Sequence, residues 1–595
     1  MKLVSLEMII VLVLIAVMLV SLILEIARPG MIIFTSLVIL LITGILTPED
    51  ALSGFSNEGM LTIALLFIVA GAIQKSGKIN QIAESWLSKS QSETGTMVLF
   101  SIPISILSAF LNNTPIVVTF TPIIKNWCEE HGISPSKFLI PLSYATILGG
   151  TITLLGTSTN LVVHGMLLEY GLEGFSIFTL TVVGVPVTVI GLLYLFIFGK
   201  RLLPDHKGFS QQVKEDVKEY IAEMHVESCF QYVNNSVKKA GLTDLDGLYL
   251  IEIIRKNERV SPVRNTTIIQ TGDRLIFAGE LSIIAELQKV TGLTLRTGSE
   301  LEFEDLKNGT THLIEAVVSH QSEILSKSIK QSRFRSRYDA GVIAIHRNNE
   351  RIQSKVGDII LKPGDSLLLL AGMDFIRKYE QSNDFYVVSR IDPPKQLSES
   401  PLKSWFSIGL LVAMIIIVSV GLLTMLKAMA ITVIILLLMR IVDAEDIKKN
   451  VQLDVLLIIA SSLGIGVAMT KTGLADLLAN SLIAIGKPVG VIGVIVMMYI
   501  LTSLFTEFIT NSAAAVLMLP IGLEIARILD LEPMGFAVLI AIAASASFIT
   551  PIGYQTNLIV YGPGGYKFMD YVKVGTPLHF IVMVSSLTVI YNVWF

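Results

Sequence analysis

The chain has 595 residues, of which 52% are hydrophobic and 16% charged, with a mean hydropathy of +0.68 and a formal net charge of −4. Soluble globular domains carry about 25% charged residues, so a secreted enzyme or a disordered scaffold fits poorly. The slightly acidic balance offers no basic face for a phosphate backbone, so no nucleic-acid polymer is expected as a partner. Cys128 and Cys229 are too few for a disulfide framework or a cysteine-based zinc site. The charge is also unevenly placed, since 29 of the 45 Lys and Arg residues fall between Lys200 and Lys403. This is the composition of a polytopic membrane protein with a soluble insert.

The first apolar run follows Lys2 and extends from Met8 to Leu24 without a small-residue cleavage site, so it reads as a retained helix rather than a leader. Runs able to cross ~30 Å of hydrocarbon lie near 8–25, 31–46, 59–74, 138–168 and 176–199. After the insert they lie near 405–423, 425–442, 453–470, 534–560 and 577–594. Two further stretches, 96–126 and 490–526, are interrupted midway by Asn112-Asn113-Thr114 and Thr510-Asn511-Ser512. Unsatisfied polar groups in lipid are costly, so these read as re-entrant hairpins facing protein or a wet cavity.

Loop charges set an orientation. Arg28, then Lys75, Lys78 and Lys89, then Lys125 and Lys137, then Lys200-Arg201 mark one side. The intervening loops carry Glu49, Asp50, Glu58, Glu169 and Glu173. That places the N-terminus outside and the insert in the cytoplasm of a cell whose inner membrane holds the chain. Arg440, Lys448, Lys449, Lys567 and Lys573 agree, whereas Lys427, Lys471 and Lys487 do not.

The insert, 205–392, reads as two copies of one α+β module, 205–298 and 299–392, followed by a linker at 393–404 around Pro393-Pro394. The segments 249–255 and 342–347 are strand-like. Arg255, Glu258 and Gly272-Asp273 recur 92 positions later as Arg347, Glu350 and Gly364-Asp365. Arg333, Arg335 and Arg337 alternate just before the second module's first strand, either as a solvated strand face or as a site for an anionic regulatory ligand.

The flanking halves, 1–204 and 405–595, repeat each other. Asn113 and Asn511 are 398 positions apart and Asn160 and Asn557 are 397 apart, with Gly77/Gly473 and Pro122/Pro520 in similar register. Five spans is an odd number, so the second copy runs through the membrane upside down. The fold expected is therefore a polytopic α-helical membrane protein, two inverted repeats of five spans plus a re-entrant hairpin each. Inverted repeats with paired broken helices point to a midplane site and alternating access. A second pair of breaks lies at 149–160 and 549–557, where Gly and Pro unwind the helix among hydroxyls and amides. Glu507, three residues before the second tip, reads as a cation or proton site or as a partner for a neighbouring polar group.

The two tips, each followed by a Gly-x-x-x-Asn break, resemble the divalent anion/sodium symporter family over both membrane halves. The strings around Asn112-Asn113-Thr114-Pro115 and Gly156–Gly165 are similar to its sulfate-permease-like branch. The resemblance implies sodium-coupled symport of sulfate or a di- or tricarboxylate. Substrate contacts would come from Asn112, Asn113, Thr114, Thr157, Thr510, Asn511, Ser512, Thr550 and Pro551. Na+ would be held by Asn113, Thr153 and Gly156 in one half and Asn511, Ile549 and Gly553 in the other. The family pattern has Ser where Asn112 and Thr510 stand here, and Thr where Ser512 stands. The insert modules resemble TrkA-C regulatory domains, which implies a homodimer and a small cytosolic ligand. No cofactor and no enzymatic activity are expected, Na+ being the coupling ion. The alternative from another class is a ligand-gated ion channel, for which Thr550-Pro551-Ile552-Gly553-Tyr554 would have to serve as a pore loop.

Overall fold

A computed structural model describes residues 5–595 except 25, 28, 76–92, 207–220, 243–247, 257, 261–262, 264–265, 280–290, 296–310, 321, 348–349, 353–355, 373, 380–381, 383, 391–400, 444–446, 449–450 and 452. Gly77, Arg28, Lys78, Lys89, Lys449 and the Pro393-Pro394 linker lie outside the described residues, as does the side chain of Arg335.

Helices fall where the apolar runs lie. Among the described residues six are long and apolar enough to cross a membrane: Pro48–Ala72, Thr181–Leu202, Leu453–Lys471, Val491–Phe508, Asn511–Leu529 and Phe568–Trp594. Shorter apolar helices include Leu6–Leu22, Pro29–Ile42, Gly95–Ser108, Trp405–Ser419 and Met425–Leu438. Two of the runs are broken where the sequence predicts, at 149–160 and 549–557. The run 138–168 is Leu139–Gly150 and Ser158–Glu169, and the run 534–560 is Pro533–Ser545 and Gln555–Tyr561. All twelve residues of Leu139–Gly150 are buried, as is Pro533–Ser545 from Gly535 onwards, so these broken helices form the centre of the bundle. Outer helices leave Val189, Leu193, Ile197, Ile434, Phe580 and Val584 exposed, an apolar surface suited to lipid.

Close approach of helices rests on small residues. A Cβ on Gly149 would lie 2.2 Å from Ser105 O, and one on Gly575 would lie 2.0 Å from Phe548 O, both backbone atoms that cannot swing aside.

Lys471, which departs from the charge rule, is explained by its partner. Its ammonium lies 2.5 Å from Asp50 Oδ2, so it shares the side of the acidic loop and is neutralised there.

The insert holds two five-stranded antiparallel sheets. Strands β1 (Ile221–Val226), β2 (Leu248–Arg255), β3 (Glu258–Val260), β4 (Arg274–Gly279) and β5 (Leu293–Leu295) pair in the order β3-β2-β4-β1-β5. Strands β6 (Thr311–Val318), β7 (Ala340–Arg347), β8 (Glu350–Arg351), β9 (Ser366–Gly372) and β10 (Phe385–Arg390) pair as β10-β6-β9-β7-β8, the same arrangement read from the other edge. Each sheet carries the same clamp. Arg255 Nε and Nη2 donate to Asp273 at 2.8 Å each, and Arg347 does so to Asp365 at 2.7 Å.

The arginine run before β7 is not a strand face. Phe334–Tyr338 is a helical turn, because Phe334 and Tyr338, four apart, both insert into the sheet's core at 1% and 2% exposure. Arg337 pairs with Glu323, whose hydrogen bond raises the guanidinium pKa further, and its cationic carbon lies 5.5 Å from the Tyr338 ring centroid. Arg333 is exposed with a φ of 49°.

The second sheet is docked on the membrane bundle. Glu315 of β6 forms an ion pair with Lys125, near the end of helix Asn113–Glu130, and the two side chains are 0% and 4% exposed. The tight turn before β9 places Gly364, at φ +82°, against Leu558, where a Cβ would meet the leucine at 2.7 Å. Breaking a buried pair strands a charge, at about 3–5 kcal/mol, whereas replacing both partners with apolar groups is close to neutral. Glu315→Gln is therefore expected to lower the melting temperature of the detergent-purified protein sharply. Glu315→Leu with Lys125→Met should recover most of that loss, and equal losses in single and double variants would refute the pairing.

Candidate functional site

The two tips are built alike. Asn113 and Asn511 each begin a helix, Asn113–Glu130 and Asn511–Leu529, immediately after the tip turn, and are 1% and 9% exposed. Ser108, at the end of the preceding helix, donates its single hydroxyl proton to Thr146 O at 2.9 Å. Its oxygen then accepts from the Asn113 amide nitrogen at 2.5 Å, which leaves Asn113 Oδ1 to accept from the Tyr554 hydroxyl at 2.7 Å. In the second half Thr506 Oγ1 donates to Ala544 O at 2.6 Å and reaches the Asn511 amide at 2.8 Å. Every residue in this second set stands 398 positions after its counterpart. Only glycine at position 150 lets the first amide sit where it does, since a Cβ there would lie 2.7 Å from the nearer terminal atom of the Asn113 amide.

The breaks are matched as well. Asn160 Nδ2 donates to Gly150 O (3.2 Å) and Thr153 O (2.9 Å), and Asn557 Nδ2 donates to Ser547 O and Thr550 O (3.1 Å each). Each asparagine satisfies carbonyls that unwinding released, which is what a break in a bundle core requires. Thr153 Oγ1 donates to Ala109 O, and its counterpart Thr550 Oγ1 lies 3.3 Å from Glu507 O.

The halves differ at Glu507. Its carboxylate accepts from the backbone N–H groups of Phe548 (3.1 Å), Ile549 (3.1 Å) and Thr550 (2.9 Å), and from Thr550 Oγ1 (2.8 Å). Ile549, Thr550 and Gly553 thus gather around a carboxylate, with Gly553 N donating to Thr550 Oγ1 at 3.0 Å. Of the two readings for Glu507, the partner role is the one this geometry displays. Within 550–554 the Thr550 amide is turned to Glu507, the Gly553 amide to Thr550 Oγ1, and Thr550 O accepts from Asn557, an arrangement that does not favour a pore loop.

The expected residues therefore fall into groups. Asn113 and Thr157 meet across the halves at Tyr554, whose hydroxyl is 3.1 Å from Thr157 Oγ1 and also interacts with Asn511. Gly156 backs the first tip, where a Cβ would meet Ser108 O at 2.8 Å. Asn112 and Thr510 are half-buried at the turns, while Ser512 and Pro551 are buried. Thr114 Oγ1 donates to Gln555 Oε1 at 3.2 Å. Arg333 and Arg337 belong to the insert and take no part in this cluster. Two buried oxygens, Asn160 Oδ1 and Thr510 Oγ1, have no hydrogen-bond partner among the described residues, and such oxygens suit a hard cation.

Sequence reasoning passed over Ser108, Thr506 and His320, and included Tyr554 and Gln555 in the second break without singling them out as site residues. Ser108, Thr506 and Tyr554 were within reach of the repeat register, because Ser108/Thr506 and Thr157/Tyr554 are themselves paired positions. Gln555 and His320 were not. Gln555 Nε2 lies 2.8 Å from His320 Nε2, and His320 Nδ1 meets the Tyr386 hydroxyl, so an insert side chain stands one residue away from Thr114. The insert is closer to the tips than a division into separate layers suggests.

Residues 10–541 match the CitMHS family, described as citrate transporter. A Chlamydomonas reinhardtii protein whose name ties it to the response to sulfur deprivation is 34% identical over 567 residues, covering 93% of this chain and 96% of its own. An uncharacterized transporter of Synechocystis is 32% identical, covering 92% and 91%. Sodium/sulfate cotransporter 1 of Chlamydomonas reinhardtii is 26% identical, covering 92% and 86%.

The shared tip bonds make a test of their own. Ser108→Ala would leave a buried amide nitrogen and lose a bond to Thr146 O, costing about 1–3 kcal/mol. Ser108→Thr should be tolerated, since Thr506 makes the equivalent bonds. Thermal unfolding in detergent distinguishes the two, and equal melting temperatures for both variants would contradict the assignment.

Proposed function

We propose a cargo and a mechanism for this chain, which belongs to the CitMHS citrate transporter family and is a multi-pass membrane transporter. It carries a small divalent anion, sulfate or a di- or tricarboxylate, together with Na+ by alternating access between two inverted repeats. The observation that carries this reading is the convergence of both asparagine-anchored tips and both breaks on one small region lined by amides and hydroxyls. Sodium/sulfate cotransport is what related proteins are named for, and it suits this lining.

A dianion among neutral donors needs compensating positive charge. Lys125 is engaged with Glu315, and the Glu507 carboxylate at the second break adds negative charge. Co-bound Na+ supplies what the side chains do not. Asn113 Oδ1, Asn160 Oδ1 and Thr510 Oγ1 are oxygen ligands of the kind Na+ takes, and the helix N-termini at Asn113 and Asn511 face the anion. The tips move relative to one another as the site opens to either side. Thr157 and Tyr554, joined across the halves, mark where that movement is felt.

The insert is the regulatory part of this proposal. Its two modules, 205–298 and 299–392, are TrkA-C-like, cytosolic, and able to pair with a second subunit's copies. The second module holds both the far end of the tip helix, through Lys125, and the second break, through Gln555. A small cytosolic ligand that shifts this module would shift both.

Uptake of radiolabelled sulfate, succinate and citrate into proteoliposomes, with Na+ or choline outside, tests the reading. Asn113→Ala and Asn511→Ala should each cut sodium-driven uptake about tenfold or more, equivalent to about 1.4 kcal/mol, without loss of folded protein. Wild-type rates in both variants, or full uptake in choline, would overturn it. Deleting residues 206–396 with a flexible bridge should leave sodium-driven uptake measurable and remove its response to cytosolic ligands. A well-folded deletion variant with no uptake would make the insert part of the transport machinery instead.

A further inference from the structure

The positions that follow the glycine of each break are equivalent in register and in backbone, yet they carry side chains of very different size. Thr157 and Tyr554 are 397 positions apart. Each caps the short helix after its break in the same extended conformation, at φ −142° and ψ 149° for Thr157 and φ −135° and ψ 137° for Tyr554. Two small hydroxyls would leave a gap between the tips. One of them is replaced by an aromatic ring that is 8% exposed and crosses to the other half.

The ring ends where the expected site lies. Its hydroxyl is 2.7 Å from the Asn113 amide, 3.1 Å from Thr157 Oγ1, and interacts with Asn511. One phenolic oxygen therefore bonds to the first tip and the first break while standing on the second break.

We propose that Tyr554 sets substrate size: it restricts the site to a compact tetrahedral dianion of the sulfate type and excludes extended di- and tricarboxylates. The proposal rests on the reading that the anion binds between the tips. A tetrahedral dianion concentrates its charge on four oxygens around one atom. It is satisfied by donors that converge on a small volume, here the Tyr554 hydroxyl, Thr157 Oγ1 and the tip helix N-termini. A four-carbon dicarboxylate needs two separated donor clusters and clear space between them. The Tyr554 ring takes up that space, since an aromatic side chain fills ~150–250 Å² of contact surface, far more than the threonine at the matched position. The hydroxyl has a second role. It is a neutral donor that releases Asn113 Oδ1 when it turns to the anion, and so frees an oxygen for the co-transported cation.

Two substitutions separate size from hydrogen bonding. Tyr554→Phe keeps the ring and removes the donor. Tyr554→Thr installs the side chain of the matched position and opens the gap. Two readouts use the full-length protein: competition of unlabelled succinate or citrate against labelled sulfate uptake in proteoliposomes, and the thermal stabilisation of detergent-purified protein by each anion in Na+ buffer. Stabilisation reports binding even where no coupled uptake occurs.

For the wild type, sulfate should stabilise and succinate and citrate should neither stabilise nor compete. Tyr554→Phe should raise the sulfate KM about five- to tenfold, the worth of one lost hydrogen bond, and still exclude succinate. Tyr554→Thr should raise the sulfate KM by about as much and admit succinate as a competitor and as a stabilising ligand. Succinate binding to the wild type as tightly as sulfate overturns the proposal while leaving divalent anion transport intact. So does a Tyr554→Thr variant that still rejects succinate. If no anion stabilises either the wild type or Asn113→Ala, the site reading falls and the size assignment falls with it.

Discussion

A hydroxyl has one proton, and at each tip that proton is spent on a carbonyl of the neighbouring helix. Ser108 gives it to Thr146 O and Thr506 gives it to Ala544 O. In the first half the hydroxyl oxygen must therefore accept from the asparagine amide, which fixes the amide's orientation and turns its oxygen inward. In lipid the alternative to such a bond is an unsatisfied group costing several kcal/mol. The tips are consequently rigid where they meet the bundle and present defined atoms where they meet each other. The broken helices follow the same constraint, with Asn160 and Asn557 closing the carbonyls that unwinding exposes.

Much of this was legible in the sequence because polar residues inside apolar runs are conspicuous. Asn113, Asn511, Asn160 and Asn557 stand out in that way, and their near-constant separation pointed to equivalent roles. Helix boundaries fell close to the apolar runs for the same reason. The breaks inside 138–168 and 534–560 were legible too, in the dense Gly and Pro among hydroxyls and amides at 149–160 and 549–557. What escaped was of another kind. Contacts between distant segments had no pattern to betray them: Lys125 and Glu315 are 190 positions apart, and His320 and Gln555 are 235 apart. The arginine run misled in the opposite direction. Its alternation suggested a strand, but Phe334 and Tyr338 bury at helical spacing, and burial of two rings outweighs the pattern of exposed charges.

The Lys125–Glu315 pair shows how the soluble and membrane parts bear on each other. Its burial makes it a poor source of net stability, because desolvating both ions offsets their attraction. It is a strong source of registry, because neither ion tolerates the loss of the other. The second sheet is thereby held to the tip helix, and through Gly364 and His320 to the helix after the second break. A displacement of the sheet bears on the helix that begins at the first tip and on the helix that begins after the second break. On the proposed reading this is a mechanical route for regulation that needs no chain of intermediates.

The two halves are alike in their scaffolding and unlike in what they present. Where the first half has Ala109, the second has Glu507, filling a nest of three backbone amides. Where the first has Thr157, the second has Tyr554 reaching across to it. The helix that Gln555 begins also carries the contact with the insert. All three departures meet at the second break, so any ligand between the tips meets a scaffold of matched bonds on one side and a specialised surface on the other. A site built from equal halves would bind equally well whichever way it faced. Bringing the ring, the carboxylate and the insert contact together at one break removes that equivalence, and on the proposed reading it places size selection and the link to the insert on the same seven-residue helix and its cap.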